Sequence, residues 1–215
     1  MNHLFNENNP VVIFLTRFFD LLILNWVFLF TCLPIITIGP ALTALYTITL
    51  RMADKDNPYI LKTYFHSFAK NFKGSLLIWL PLLFGLVFFG VDLYIVHTQL
   101  DESLLFLQFP IIIFLFCIIS IIIYVFPVFA IFDNSLVKTT KNALLLSVSN
   151  LPLTIFTVMI IVILISIAQV SSTAMWGVIS IFLFVGCSTF ALALSFYFLR
   201  IFKKLAPEEF PEFEE

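Results

Sequence analysis

The chain has 215 residues, of which 61% are hydrophobic and 11% charged, with a net charge of −2 and a mean hydropathy of +1.10. Soluble domains run near half apolar and a quarter charged, so this composition excludes an ordinary water-soluble domain and points to a polytopic membrane protein. Nucleic-acid binding gains no support either, because the few Lys and Arg sit where membrane topology would put them.

Residues 1–10 are polar and are expected at the membrane interface. They carry no basic n-region, and no small-residue cleavage site follows, so the first span is expected to be retained. No lipidation motif is present. Val11–Leu33 is the first predicted span. Arg17 and Asp20 lie one turn apart near its entrance and are expected to pair. Asn25 lies deeper, and an intramembrane Asn needs a hydrogen-bond partner. It either lines a cavity or ties this span to another helix.

The stretch Leu33–Tyr46 concentrates the backbone-altering residues within apolar sequence. Pro34 and Pro40 each remove a donor and restrict the residue before them, and Gly39 permits a turn closed to other residues. A break is therefore expected after Cys32, with a new helix starting at Pro40, where a missing N–H costs nothing. That helix, Pro40–Met52, would span only about 20 Å at ~1.5 Å per residue, against a hydrocarbon core of ~30 Å. Ala41 and Ala44, and beside them Thr43 and Thr47, form small-residue rows that let helices approach closely in lipid. The stretch is either a re-entrant element lining a site, as in carriers with discontinuous helices, or a tight hairpin that packs the bundle.

Arg51–Lys73 is the most basic segment. Within residues 58–73, Ile60, Leu61, Tyr64, Phe65, Phe68 and Phe72 recur at three- and four-residue spacing, which predicts an interfacial amphipathic helix with its Lys face to water. Lys62, Phe65, Phe68, Lys70, Asn71 and Lys73 are its candidate lipid or partner surface. His66 reads as an interfacial surface residue. Residues 75–132 are a predicted helical hairpin, with spans Leu76–Val96 and Leu104–Phe132. Asp92 falls near an outer interface, and Pro127 is expected to kink the inner end of the second span. Residues 133–204 hold a second hairpin. A polar segment leads to Asn150, a predicted helix cap with Pro152 just inside, and then to spans Leu151–Val170 and Ala174–Leu199. The tail, residues 205–215, is acidic and is expected to be disordered. Lys62 and Asn71, like Lys141 and Asn150, are nine residues apart before a two-span unit, which hints at a parallel internal repeat. The three cysteines, Cys32, Cys117 and Cys187, are scattered in apolar runs and read as packing residues, neither a disulfide framework nor a zinc site.

The fold class that follows is an all-α polytopic helical membrane bundle. It has five full transmembrane helices, a short helix after a Pro-Gly break and a cytoplasmic amphipathic helix, in one integral membrane domain. Asn25-Trp26, Leu33-Pro34-Ile35-Ile36-Thr37-Ile38-Gly39-Pro40-Ala41 and Ala44-Leu45-Tyr46 resemble the signature of the YesL-like family. These are bacterial integral membrane proteins catalogued as domain of unknown function 624. Phe68-Ala69-Lys70-Asn71-Phe72-Lys73, Phe132-Asp133 and Lys141-Asn142-Ala143 fit the same pattern. The resemblance extends from about Phe14 to Lys204 and marks Asn25, Pro34, Thr37, Gly39, Pro40, Ala41 and Ala44 as the candidate motif. It implies a plasma-membrane protein of Gram-positive type bacteria associated with carbohydrate uptake and utilisation, and it implies no catalytic residues.

Two functions are therefore open. The first is an accessory or scaffolding component acting with ABC-type permease subunits. The second is a small-solute or sugar transporter or channel. The chain carries none of the motifs of a metalloprotease, a serine hydrolase or a phosphate loop, so no enzyme, metal or cofactor is expected. The span interiors also lack the charged residues of an ion-coupled carrier.

With the N-terminus inside and six crossings, all eleven Lys and Arg face the cytoplasm. An N-terminus outside with five crossings displaces only Arg17; both orders leave the C-terminus cytoplasmic. In a background without native cysteines, Ser103→Cys and Ser172→Cys should react with an impermeant maleimide added outside. Lys141→Cys and Lys204→Cys should react only from the inside, and outside labelling at position 141 would overturn this orientation.

Overall fold

The computed structural model describes residues 10–56, 58–99, 106–132 and 135–205. The polar N-terminus, the loop about Ser103 and residues 206–215 of the tail lie outside them. Among the described residues every regular element is helical. The order is α1 (Pro10–Cys32), a 3₁₀ turn (Ile35–Thr37), α2 (Ile38–Ala53), α3 (Ile60–Gln99), α4 (Gln108–Ile131), α5 (Leu136–Ser149), α6 (Leu151–Val170), α7 (Ser172–Ile181), a π-turn (Phe182–Gly186) and α8 (Cys187–Leu205). Among the described residues six helical stretches are long and apolar enough to cross a membrane. The protein is thus a polytopic all-α bundle.

The bundle is built around α2. Buried residues make up 61% of its apolar window, against 11 to 39% in the other five candidate spans. Ala41, Ala44, Thr43 and Ile48 are fully buried. Helix α3 packs on one face of α2, α8 and α4 on others, and α1 covers the rest. The aromatic core joins the same helices. Tyr46 of α2 and Tyr124 of α4 both meet Phe198 of α8 edge-to-face, with ring centroids 6.0 and 5.2 Å apart, and Phe132 meets Phe202. Such pairs add to the burial of the rings themselves.

Four details differ from the sequence reading. First, α2 starts at Ile38, so Pro40 is its third residue and still lies in the first turn, where its missing N–H is harmless. With the 3₁₀ turn the apolar helix is 19 residues, Ile35–Ala53, roughly 28 Å long, close to a full crossing. Second, no glycine among the described residues has a positive φ. The requirement at Gly39 is therefore close approach rather than an unusual turn. A Cβ there would sit 2.5 Å from Trp79 Cβ and 2.9 Å from the Ser75 carbonyl oxygen.

Third, the amphipathic segment is no separate interfacial helix. It is the first part of α3, which continues through Gly74 and Pro81 for 40 residues, about 60 Å, or twice the hydrocarbon thickness. Its aromatic stripe turns partly inward. Tyr64 is fully buried, its ring 6.3 Å from Phe68, and its hydroxyl lies 2.6 Å from Thr31 Oγ1. Of the two phenylalanines in the candidate surface, Phe65 is exposed and Phe68 half-buried. Fourth, the polar segment after Phe132 contains helix α5. Asn150 does not cap α6 with its side chain; its amide donates back to the Leu146 carbonyl and closes α5. Asn71, its counterpart in the suggested repeat, lies inside an unbroken helix, so the two positions do different work.

Basic residues gather at the C-terminal end of α2. Arg17 turns its guanidinium toward the Met52 carbonyl oxygen at 3.5 Å, and Lys203 pairs with Asp54 at 2.6 Å. Cys32, Cys117 and Cys187 are free thiols, half-buried or exposed.

Gly39→Ala should lower the melting temperature in detergent, because overpacking costs typically about 1–3 kcal/mol. Gly90→Ala is the control: nothing lies within 4 Å of a Cβ there, and it should be neutral or slightly stabilising. Equal melting of the two variants would remove the close-approach role of Gly39.

Candidate functional site

Two groups of residues stand out as candidates, the motif of the broken hairpin and the basic face at the start of α3. The motif is a packing device closed by hydrogen bonds. Where α1 ends, its last carbonyls need partners. Thr37 Oγ1 donates to the Thr31 carbonyl at 2.6 Å, with the Pro34 carbonyl at 2.8 Å, and the Thr37 N–H also bonds Pro34. Trp79 Nε1 donates to the Ile35 carbonyl at 2.8 Å. Broken backbone in an apolar setting is tolerated when protein groups cover it, and here Thr37 and Trp79 do so. Leu33, Ile35 and Ile36 turn their side chains outward.

Below the turn, hydroxyls zip α2 to its neighbours. Thr43 Oγ1 lies 2.7 Å from Ser75 Oγ, and Thr47 Oγ1 lies 2.7 Å from Ser67 Oγ. On another face Ser195 donates to Thr49 at 2.8 Å. The Thr43 and Thr47 row thus lies against α3. Each such pair contributes on the order of 0.6 kcal/mol in a membrane protein.

Asn25 is fully buried and lies apart from the break. Its Nδ2 donates to the carbonyls of Phe182 and Leu183, at 3.0 and 2.9 Å, and its Oδ1 accepts from the Ser188 N–H at 3.1 Å. These groups belong to the π-turn and to the second residue of α8. A π-turn disturbs the regular ladder of helix hydrogen bonds and leaves backbone groups in need of partners. Ser188 completes the clamp by donating to the Leu21 carbonyl at 2.8 Å. Asn25 is thus an interhelical tie, and its polar atoms do not face a cavity.

The second group lines a cavity of about 540 Å³ between the last turns of α2 and the first turns of α3. Lys62, Lys70 and Asn71 line it, as expected of a shared surface; Phe65, Phe68 and Lys73 do not. Arg51 and His66 join them, and sequence reasoning missed both. The signal was present in the spacing, because residues 62, 66 and 70 follow one another at helical intervals of four. Among the described residues no cluster of three His, Cys, Asp or Glu could hold a metal ion.

Comparison with known proteins agrees with the motif. The family described as "Protein of unknown function, DUF624" matches residues 21–93. A relative named "Uncharacterized protein YteU", from Bacillus subtilis (strain 168), is 33% identical over 136 residues, 61% of this chain. The chain spans 60% of that relative's length. No solved structure matches.

Asn25→Leu should strand two carbonyls and an N–H in the π-turn region. A buried unsatisfied group costs about 1–3 kcal/mol in general, although in lipid the measured cost of a lost interhelical bond is often below about 1 kcal/mol. Faster hydrogen exchange at residues 182–188, with a lower melting temperature, is the expected outcome; unchanged exchange there would mean that the clamp is dispensable. The family's model matches the part of the chain that holds the Pro-x-x-Thr-x-Gly-Pro-Ala motif, residues 21–93, which take in the break, α2 and most of α3.

Proposed function

We propose that the protein is a non-catalytic accessory subunit of the bacterial plasma membrane, acting beside ABC-type permease subunits in carbohydrate uptake. The observation that carries the accessory role is the state of the bundle's polar groups. Asn25, Thr43, Thr49, Ser75, Ser188 and Ser195 are fully buried, and all are bonded within the protein. Among the described residues only Thr157 Oγ1 is buried without a partner. A sugar path needs polar groups open to solute, and here those groups hold helices together. The basic cavity is accessible polar surface, and in the orientation that the positive-inside rule favours it would lie at the cytoplasmic end. The class of partner rests on the motif's resemblance and not on geometry.

Affinity capture from mild detergent tests this reading. ABC permease subunits should co-isolate with the tagged protein, and liposomes holding the purified protein alone should not take up labelled sugar. Uptake by the lone protein would replace the accessory role with a transporter, and capture without permeases would remove the proposed partner.

A further inference from the structure

The basic cavity has the make-up of an anion site. Arg51, Lys62 and Lys70 bring three cationic side chains to its lining, with the His66 imidazole between the two lysines, and among the described residues no carboxylate lines it. Its floor is built from a chain of hydrogen bonds. Asn71 Nδ2 donates to Ser67 Oγ at 3.2 Å, Ser67 and Thr47 share a hydroxyl–hydroxyl bond of 2.7 Å in which either can donate, and the Thr47 hydroxyl lies 2.9 Å from the Thr43 carbonyl. The chain fixes the floor and leaves the second Asn71 N–H and the Thr63 hydroxyl as neutral donors at the wall. Tyr59 and Lys62, at the start of α3, also line the cavity, as does Arg51 in the last turn of α2, so the opposed dipole ends of the two helices offset each other there and the positive field comes from the side chains.

Position along α3 narrows the ligand. The helix is about twice as long as the hydrocarbon core is thick, so its first turns emerge from the core. Tyr59, Leu61 and Phe65 at this end are 85%, 51% and 52% exposed. Aromatic and apolar side chains exposed next to cations fit the headgroup layer, where the rings meet acyl chains and the cations meet phosphates.

We propose that this cavity binds a phosphate group, through Arg51 and Lys62 at its mouth and Asn71 at its floor. The phosphate is that of an anionic phospholipid headgroup or of a soluble phosphate compound. Arg presents a planar fork to phosphate oxygens and Lys a point charge, a combination suited to this group. The inference does not depend on the accessory role, and its test needs no partner protein.

The experiment uses the purified full chain in two arms. In the first, the protein in nanodiscs of phosphatidylcholine alone, or doped with phosphatidylglycerol, is assayed for bound lipid by native mass spectrometry after mild extraction. In the second, inorganic phosphate is titrated onto the protein in neutral detergent, followed by ³¹P line width. Wild type should retain phosphatidylglycerol, and Arg51→Gln with Lys62→Gln should bind it roughly 30-fold more weakly, the loss expected for two cations near a membrane surface. Lys138→Gln with Lys204→Gln removes the same charge elsewhere and should bind like wild type. Melting temperatures of both double variants check that each is folded. Binding of inorganic phosphate, lost in the first variant but without lipid retention, would assign the same site to a soluble phosphate. No binding in either arm, or equal loss in both variants, would overturn the proposal, since the second result reports only net charge.

Discussion

Helices already in lipid gain little from hiding apolar surface, because the acyl chains are as apolar as leucine. What holds this bundle is therefore contact distance, and contact distance is set by α2. Gly39 lets Trp79 and the Ser75 backbone come within reach of its Cα, and Ala41 and Ala44 keep the same helix slim where it is most enclosed. Close approach in turn brings Thr43 and Thr47 within hydrogen-bond distance of Ser75 and Ser67. A larger side chain at the top of α2 would separate the pair and weaken every bond below it.

The broken hairpin and the π-turn are two solutions to one problem. Each interrupts a helix in apolar surroundings, and each is repaired by a side chain from another segment: Trp79 for the 3₁₀ turn and Asn25 for the π-turn. Polar residues inside a membrane protein invite a reading as a solute path. In this bundle Asn25 and Thr37 bond backbone at the two breaks, while Thr43, Thr47 and Thr49 bond hydroxyls of neighbouring helices. The family match covers the first of these repairs in full, and Asn25 within the second.

Much of this was legible in the sequence, for stated reasons. Length and hydropathy located the spans, because ~20 apolar residues are needed to cross the core; Leu151–Val170 came out residue for residue. Gly39, Ala41 and Ala44 were legible because glycine and small residues constrain backbone and approach directly, whereas Thr37 entered only through the resemblance of the motif. The role of Gly39 was misassigned, since a glycine in sequence does not disclose whether it serves torsion or clearance. The continuity of α3 was hidden because Gly74 and a change from basic to apolar composition look like a boundary. The π-turn gave no local signal, for Phe182–Gly186 is ordinary apolar sequence whose partner lies more than 150 residues earlier. Arg51 escaped because its meeting with the lysines depends on how α2 and α3 fold back on each other, whereas His66 stands between Lys62 and Lys70 at helical spacing and was legible there.

The unbroken course of α3 makes it a rod with a handle at each level. Lys62, on the cavity wall, and Trp79, under the hairpin turn, ride on the same helix 17 residues apart, roughly 26 Å along its axis. A rigid helix does not absorb a push at one end as a hinge would. Any load that tilts or slides the basic end of α3 arrives at the indole that holds the Ile35 carbonyl, and at the gap where Gly39 leaves no slack. The cavity wall and the prop beneath the hairpin turn are thus parts of one continuous helix.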